Sequence, residues 1–173
     1  MIELMRQRIS VREYQDQSIE PEKIALLQEA LLRSPTSRNR RPWTFVFVSD
    51  KPTLEKLSTC KPHGASFIKD AAQAVVICAD PERCDVWIED CSIAATVLQL
   101  TAQSLGLGSC WVQVRKRRHD DTSAEEMVQN LLHLDRKLKV EAIITLGYPL
   151  EPFAERDLEL HTEKILQWSG DEV

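Results

Sequence analysis

Asp85–Gly108 reads DVWIEDCSIAATVLQLTAQSLGLG. Between Val86 and Leu105 the only charged residues are Glu89 and Asp90. Ile93, Val97, Leu100 and Leu105 recur near helical spacing, and Ala94, Ala95, Leu98 and Ala102 cover the adjoining face. A helix apolar on most sides has to be buried on most sides. Ser92, Thr96, Gln99, Thr101, Gln103 and Ser104 make it too polar to cross a membrane. Its small side chains suit close approach by another helix. The stretch predicts the central helix of the fold and a candidate subunit interface. Gly106 predicts its end, because glycine tolerates the left-handed conformation of a C-cap.

Apolar, β-prone runs lie outward from this helix on both sides: Thr44–Val48, Ala74–Ala79, Ser109–Val114 and Val140–Leu146. They read as strands covered on both faces. Further helices are expected over Met1–Gln7, Ser18–Arg33, Pro52–Leu57, and from a Thr122 or Ser123 cap to about Leu132. Pro21 sits near the start of the second, whose apolar face is Ile24, Leu27, Leu31 and Leu32. The alternation predicts an α+β fold, an α/β sandwich with a central mixed sheet of four to five strands and helices on both faces. The 173 residues fit one domain, 1–173, large enough for a substantial core. Ile165, Leu166 and Trp168 close a polar tail and are expected to dock on another surface.

The net charge of -5 argues against nucleic-acid binding by the whole surface. Cys60, Cys78, Cys84, Cys91 and Cys110 contain no C-x-x-C pair and predict reduced thiols in a cytoplasm. The N-terminus shows no apolar signal run. His63, His119, His133 and His161 are scattered, none at ligand spacing from a cysteine, so no metal is expected. Arg115-Lys116-Arg117-Arg118 reads as a solvated basic loop.

Three polar segments remain. In Arg8-Ile9-Ser10-Val11-Arg12, two guanidinium groups flank a hydroxyl at alternate positions. In an extended chain the three share a face, which makes either an anion grip or a solvated edge. Ser34–Trp43, SPTSRNRRPW, sets arginines, hydroxyls and an amide between two prolines ahead of a buried strand, as a binding loop or a charged surface turn. The third is the turn around Gly108–Gln113. None contains a Ser-His-Asp or Cys-His arrangement, a P-loop lysine or a paired acid, and GLG alone is no dinucleotide fingerprint. These groups suit binding of a phosphorylated planar cofactor rather than bond chemistry of their own.

With RISVREY, SPTSRNRRPWTFVFV, the long helix leading to GLGSCWV, and AIITLGYP in this order, the chain resembles the FMN-dependent nitroreductase family over almost its whole length. The resemblance implies a homodimer with FMN at the subunit interface. Arg8, Ser10 and Arg12 would hold the phosphate, ribityl and pyrimidine parts. Pro35, Thr36, Ser37 and Asn39 would reach FMN from the other subunit, with Arg41 where the family usually has glutamine. Cys110, Trp111, Val112 and Gln113 would lie beside the isoalloxazine, Trp111 in the pocket wall, and Arg156 is the nearest candidate for a C-terminal phosphate contact. Trp43 is expected in the core. Ile9 removes a cation common at its position. Arg41 adds one near the flavin, where it would favour the reduced, anionic ring. The implied activity is NADH or NADPH oxidation with reduction of a nitroaromatic, quinone or similar small acceptor in a ping-pong cycle, with no catalytic side chain. A non-catalytic FMN-binding protein, a reductive dehalogenase or flavin-fragmenting enzyme of the same fold, and an anion-binding module are the alternatives.

Overall fold

The computed structural model describes residues 1–155 and 159–168. In chain order the helices are α1 (Ile2–Gln7), α2 (Pro21–Leu32), α3 (Lys51–Leu57), α4 (Trp87–Ser104) and α5 (Ala124–Leu131). The strands are β1 (Trp43–Val48), β2 (Gln73–Ala79), β3 (Gly108–Gln113), β4 (Arg118–His119), β5 (Thr122–Ser123) and β6 (Lys139–Gly147). Four strands form the central sheet in the order β1-β2-β6-β3. Its neighbouring pairs are antiparallel. The parallel contribution is a single bridge from Ser10 to Ser109, which adds the N-terminal segment to the β3 edge.

The sheet is buried on both faces. Every residue of β2 is buried, as is nearly all of β6. On one face Val75, Ile77, Ile144 and Leu146 pack with Leu27 and Leu31 of α2 and Ala94, Ala95, Leu98 and Ala102 of α4. On the other, Val76, Val112, Val140 and Ile143 pack with Leu54 and Leu57 of α3 and Val128 of α5. Apolar strands with no polar face are the sequence trace of this double cover.

α2 starts at Pro21 itself, so the Ser18–Glu20 part of the expected helix is extended chain. Pro21 supplies the fixed φ of a first helical position and loses no hydrogen bond there. α4 stops as expected. Gly106 takes φ +77°, its N–H donates to Gln103 C=O at 3.1 Å, and Leu107 N–H donates to Ala102 C=O at 2.8 Å. These two bonds satisfy carbonyls the helix end would leave bare. Ser123 caps α5 by accepting from Glu126 N–H at 3.0 Å. The basic run expected as a solvated loop is divided: Arg115 is half-buried with its Nε 3.7 Å from Glu141, and Arg118 opens the small β4–β5 ladder.

The sheet takes the small residues of α4, and the larger ones on its far side stay open. Ile93 is 41% exposed, and Val97 and Leu100 are half-buried. α1 packs beside α4 with Ile2 and Met5 exposed. Ile165, Leu166 and Trp168, expected to dock, are exposed among the described residues; Trp168 is 87% exposed. Among the described residues no helix is long and apolar enough to cross a membrane.

Candidate functional site

The Arg8–Arg12 segment is fixed by β3 and β6. Val11 N–H donates to Ser109 C=O at 2.9 Å. The Tyr14 hydroxyl donates to Val11 C=O at 2.7 Å and lies 2.7 Å from Thr145 Oγ1 on β6. Burial pushes the Tyr14 phenol up, so it remains a neutral donor at ordinary pH. Two glycines make the seat possible. A Cβ at Gly108 would lie 2.8 Å from Val11 Cβ and both its methyls, and one at Gly147 would lie 2.8 Å from Tyr14 Cδ1. Val11 and Tyr14 are thereby the buried anchors of a segment otherwise half-buried or exposed.

Arg8, Ser10 and Arg12 line an open cavity of about 550 Å³, together with Ile9, Pro152, Ala154 and Glu155. The charge here converges on Cys110. Burial raises the pKa of this thiol, while the Arg12 guanidinium, the hydrogen-bonded Ser10 hydroxyl, Lys61 and Arg8 pull it back. Arg12 also lies over the Phe67 ring at 5.7 Å. Lys61, absent from the sequence reading, is half-buried, and its own pKa is lowered first by burial and further by Arg117. Among the described residues no carboxylate pairs with Arg8, Arg12, Lys61 or Arg117. The one acid lining the cavity, Glu155, faces Arg6 at 3.9 Å. A group of cations, Arg8 and Lys61 half-buried and Arg12 and Arg117 exposed, with a hydroxyl beside it and no acid partner among the described residues, is suited to an anionic ligand.

The 35–43 loop is a second construction. Arg38, Asn39 and Arg41 have φ of 51°, 54° and 47°, left-handed conformations that side chains bearing a Cβ disfavour. Arg41 N–H donates to Thr36 Oγ1 at 3.1 Å, and Arg41 Nε donates to Asn39 Oδ1 at 2.9 Å. Ser37 N–H donates to Asp90 of α4 at 2.9 Å. Pro35, Asn39 and Arg41 are exposed, and Thr36 and Ser37 half-buried. Trp43 is in the core, its ring centroid 5.1 Å from that of Phe45.

Strand alternation divides the four residues expected beside a flavin ring. Val112 faces the α3–α5 layer, and Cys110 points the same way, toward Ser10 and Arg12. Trp111 faces the α4 layer, where its Nε1–H donates to Gln113 Oε1 at 2.9 Å, and Gln113 Nε2 donates to Arg115 C=O at 3.0 Å. Trp111 therefore lines the opposite face of the sheet from the cation group. Arg156 lies outside the described residues.

The two polar segments occupy opposite corners of the sheet. Ser10 bridges Ser109, at the start of edge strand β3. The 35–43 loop enters Trp43, at the start of the other edge strand β1. Trp43 pairs with Ala79, Ala79 with Lys139, and Ala142 with Gln113, so the loop stands at the end of the sheet away from Ser109. Three strand spacings and one strand length separate them, on the order of 20 Å. One copy of the chain does not bring both to one ligand.

Glu141 is a further buried acid, 4% exposed on β6. Burial raises its pKa, the Arg115 guanidinium opposes the rise, and Glu89 adds to it. A carboxyl raised on folding stabilises fully below its unfolded pKa of about 4.3, and that stability is lost as pH rises through the folded value. Glu141→Gln is expected to flatten the stability profile as pH rises above about 4.3. Urea unfolding across that range checks it; an unchanged slope would refute the assignment.

A profile of the family described as "Putative TM nitroreductase" matches residues 1–172. A Methanothermobacter thermautotrophicus protein named "Putative NADH dehydrogenase/NAD(P)H nitroreductase" is 33% identical over 171 residues, covering 95% of this chain and 87% of its own. A solved structure of an FMN-dependent nitroreductase from Clostridium difficile R20291 superposes with a TM-score of 0.93 at 42% identity, covering 96% of this chain and 98% of that one. A Parabacteroides distasonis structure named "Putative NADH dehydrogenase/NAD(P)H nitroreductase" superposes with a TM-score of 0.87 at 33% identity, covering 96% of both chains. With its sheet, its central helix and its N-terminal cation segment matched from end to end, the chain belongs to the nitroreductase family.

Proposed function

We propose that the protein is an FMN-dependent oxidoreductase that oxidises NADH or NADPH and reduces nitroaromatic, quinone or similar small acceptors, working as a homodimer with FMN at the subunit interface. The observation that carries this reading is the division of the site. A cation-and-hydroxyl cradle stands at one corner of the sheet, and an arginine-bearing loop at the opposite corner. A two-fold pairing can set the loop of one chain against the cradle of the other. The open side of α4, with Ile93, Val97 and Leu100, and the neighbouring Ile2 and Met5 of α1 supply apolar surface for such a pairing. The exposed Ile165, Leu166 and Trp168 offer more.

The donor set fits FMN. Arg8, Ser10 and Arg12 offer cations and a hydroxyl to a phosphate and a pyrimidine edge, in a cavity within the usual range for small-molecule sites, and Lys61 adds its charge at neighbouring Cys110. The Clostridium difficile relative is named FMN-dependent, and the curated relatives are named for NAD(P)H. Bound there, FMN would supply the two-electron redox chemistry that links NADH or NADPH oxidation to acceptor reduction in a ping-pong cycle. The chain's own contribution is binding, orientation and charge. Purified protein is expected to be yellow and to oxidise NADH or NADPH with an acceptor present. Colourless protein that fails to bind added FMN would sink the reading.

Arg41 is exposed and held by Asn39 rather than by an acid. Placed against the flavin of the partner, it favours the reduced, anionic ring. Arg41→Gln is therefore expected to lower the two-electron midpoint potential by some tens of millivolts. Spectroelectrochemical titration decides, and an unchanged potential with FMN fully bound would mean Arg41 is surface charge.

A further inference from the structure

We infer that Asp90, in the first turn of α4, is the positioning residue of the site: it holds residues 36–41 in the conformation that presents Asn39 and Arg41 to the flavin. The inference rests on the reading that this loop contacts FMN. Asp90 is 2% exposed and has no cation partner among the described residues. A carboxylate buried on the same helix as Cys91, Ala94, Ala95, Leu98 and Ala102 is costly compared with an apolar residue. Both of its oxygens are engaged. Oδ1 accepts from Ser37 N–H at 2.9 Å, and Oδ2 accepts from the Cys84 thiol at 3.3 Å. Asp90 thus joins the loop before β1, the loop before α4, and α4 itself.

What it holds is unfavourable on its own. Directly after Ser37, Arg38 and Asn39 take left-handed angles, and Arg41 takes them again before Pro42. Such a sequence of conformations persists only where the surroundings over-determine it. The remaining ties are at the surface or from the loop to itself: Arg41 N–H to Thr36 Oγ1, and Arg40 to Asp85 at 3.2 Å. The Asp90–Ser37 bond is the one that reaches a buried side chain. Losing it frees the loop to relax toward ordinary angles, which re-aims Asn39 and the Arg41 side chain bonded to it. Asp90 acts through Ser37 and need not touch the ligand.

The test uses the full FMN-loaded chain. FMN dissociation constants are measured by flavin fluorescence for wild type, Asp90→Ala, Asp90→Asn, Asn39→Ala, Arg41→Ala and the double variant Asp90→Ala/Asn39→Ala. Hydrogen exchange of the 36–41 amides is followed in each. Asp90→Ala is expected to weaken FMN on the order of tenfold and to speed exchange in 36–41. Asp90→Asn, whose amide oxygen still accepts from Ser37, should stay within about threefold of wild type. Asn39→Ala should add nothing in the Asp90→Ala background, because the loop is already misplaced. Should Asp90→Ala fail to fold, Asp90→Ser, too short to reach Ser37, takes its place in the series. Wild-type affinity in the removal variant, additive losses in the double variant, or an Asp90→Asn loss equal to that of Asp90→Ala would overturn the proposal. Unchanged FMN affinity in both Asn39→Ala and Arg41→Ala would remove the loop from the flavin site, overturning the underlying reading instead.

Discussion

Arg8→Ala is expected to lower FMN affinity on the order of tenfold or more, and Arg117→Ala by clearly less. Arg8 lines the cavity and contributes to the positive field at Cys110. A charge-assisted hydrogen bond contributes roughly 1.5–3 kcal/mol, and its loss appears directly in the dissociation constant. Arg117 is exposed and is felt at the site only through Lys61. At that remove, solvent and salt screen most of its effect. Flavin titration of the two apo-variants compares them, and equal affinities would reject Arg8 as a ligand. A steeper salt dependence for wild type than for Arg8→Ala is the accompanying signature, since screening acts on the charge that remains.

Gly108→Ala is the second large effect, and it reaches the site without removing any polar group. Gly108 φ is not in the left-handed region, so backbone strain plays no part. The added Cβ meets Val11 Cβ, Cγ1 and Cγ2, each at 2.8 Å. Those are the stiff, branched part of Val11, with no flexible end to swing aside. Either β3 or the Arg8–Arg12 segment has to move, at a cost of about 1–3 kcal/mol. β3 is bonded to β6 along its length, whereas the segment is held at Val11 and Tyr14 and, just beyond it, by the Glu13 and Gln15 backbone bonds to Leu150 and Tyr148. The segment therefore shifts, and FMN affinity should fall several-fold along with stability. Val11→Ala in the same chain takes away the clashing methyls and should recover part of both losses. Titration and urea unfolding of the single and double variants measure this. Recovery of stability without recovery of flavin affinity would show that the segment's position does not set binding.

Most of the architecture is legible in the sequence because it follows from apolar pattern. The long helix, the four buried strands and the Gly106 stop lie within a residue or two of where hydrophobic runs and caps place them. The Arg8/Ser10/Arg12 trio on one extended segment is legible for the same reason, since side-chain alternation needs only local geometry. What could not be read depends on where elements meet. Lys61 joins the site only because the chain after α3 folds back toward β3, and nothing around it in sequence marks that approach. Asp90 is visible as a charge in an apolar helix, a signal that points to a buried partner but does not identify Ser37. Gly108 reads as turn punctuation, whereas its role is to admit Val11. Cys110–Gln113 reads as one stretch beside the flavin ring, whereas alternation places Trp111 and Gln113 on the opposite face of the sheet from Cys110 and Val112. The small β4–β5 ladder escaped because two-residue strands carry no periodicity.

The central claim is that two copies complete each flavin site. It is tested by co-expressing a chain carrying Arg8→Ala and Arg12→Ala with a chain carrying Asn39→Ala and Arg41→Ala, and counting FMN sites of wild-type affinity. If cradle and loop come from different chains, each mixed dimer holds one intact site and one doubly defective site. With random pairing, about a quarter of all sites should then bind FMN as wild type does, although neither variant alone does so. If cradle and loop served the flavin within one chain, every site in the mixture would stay defective, and the absence of any recovered site would contradict the account.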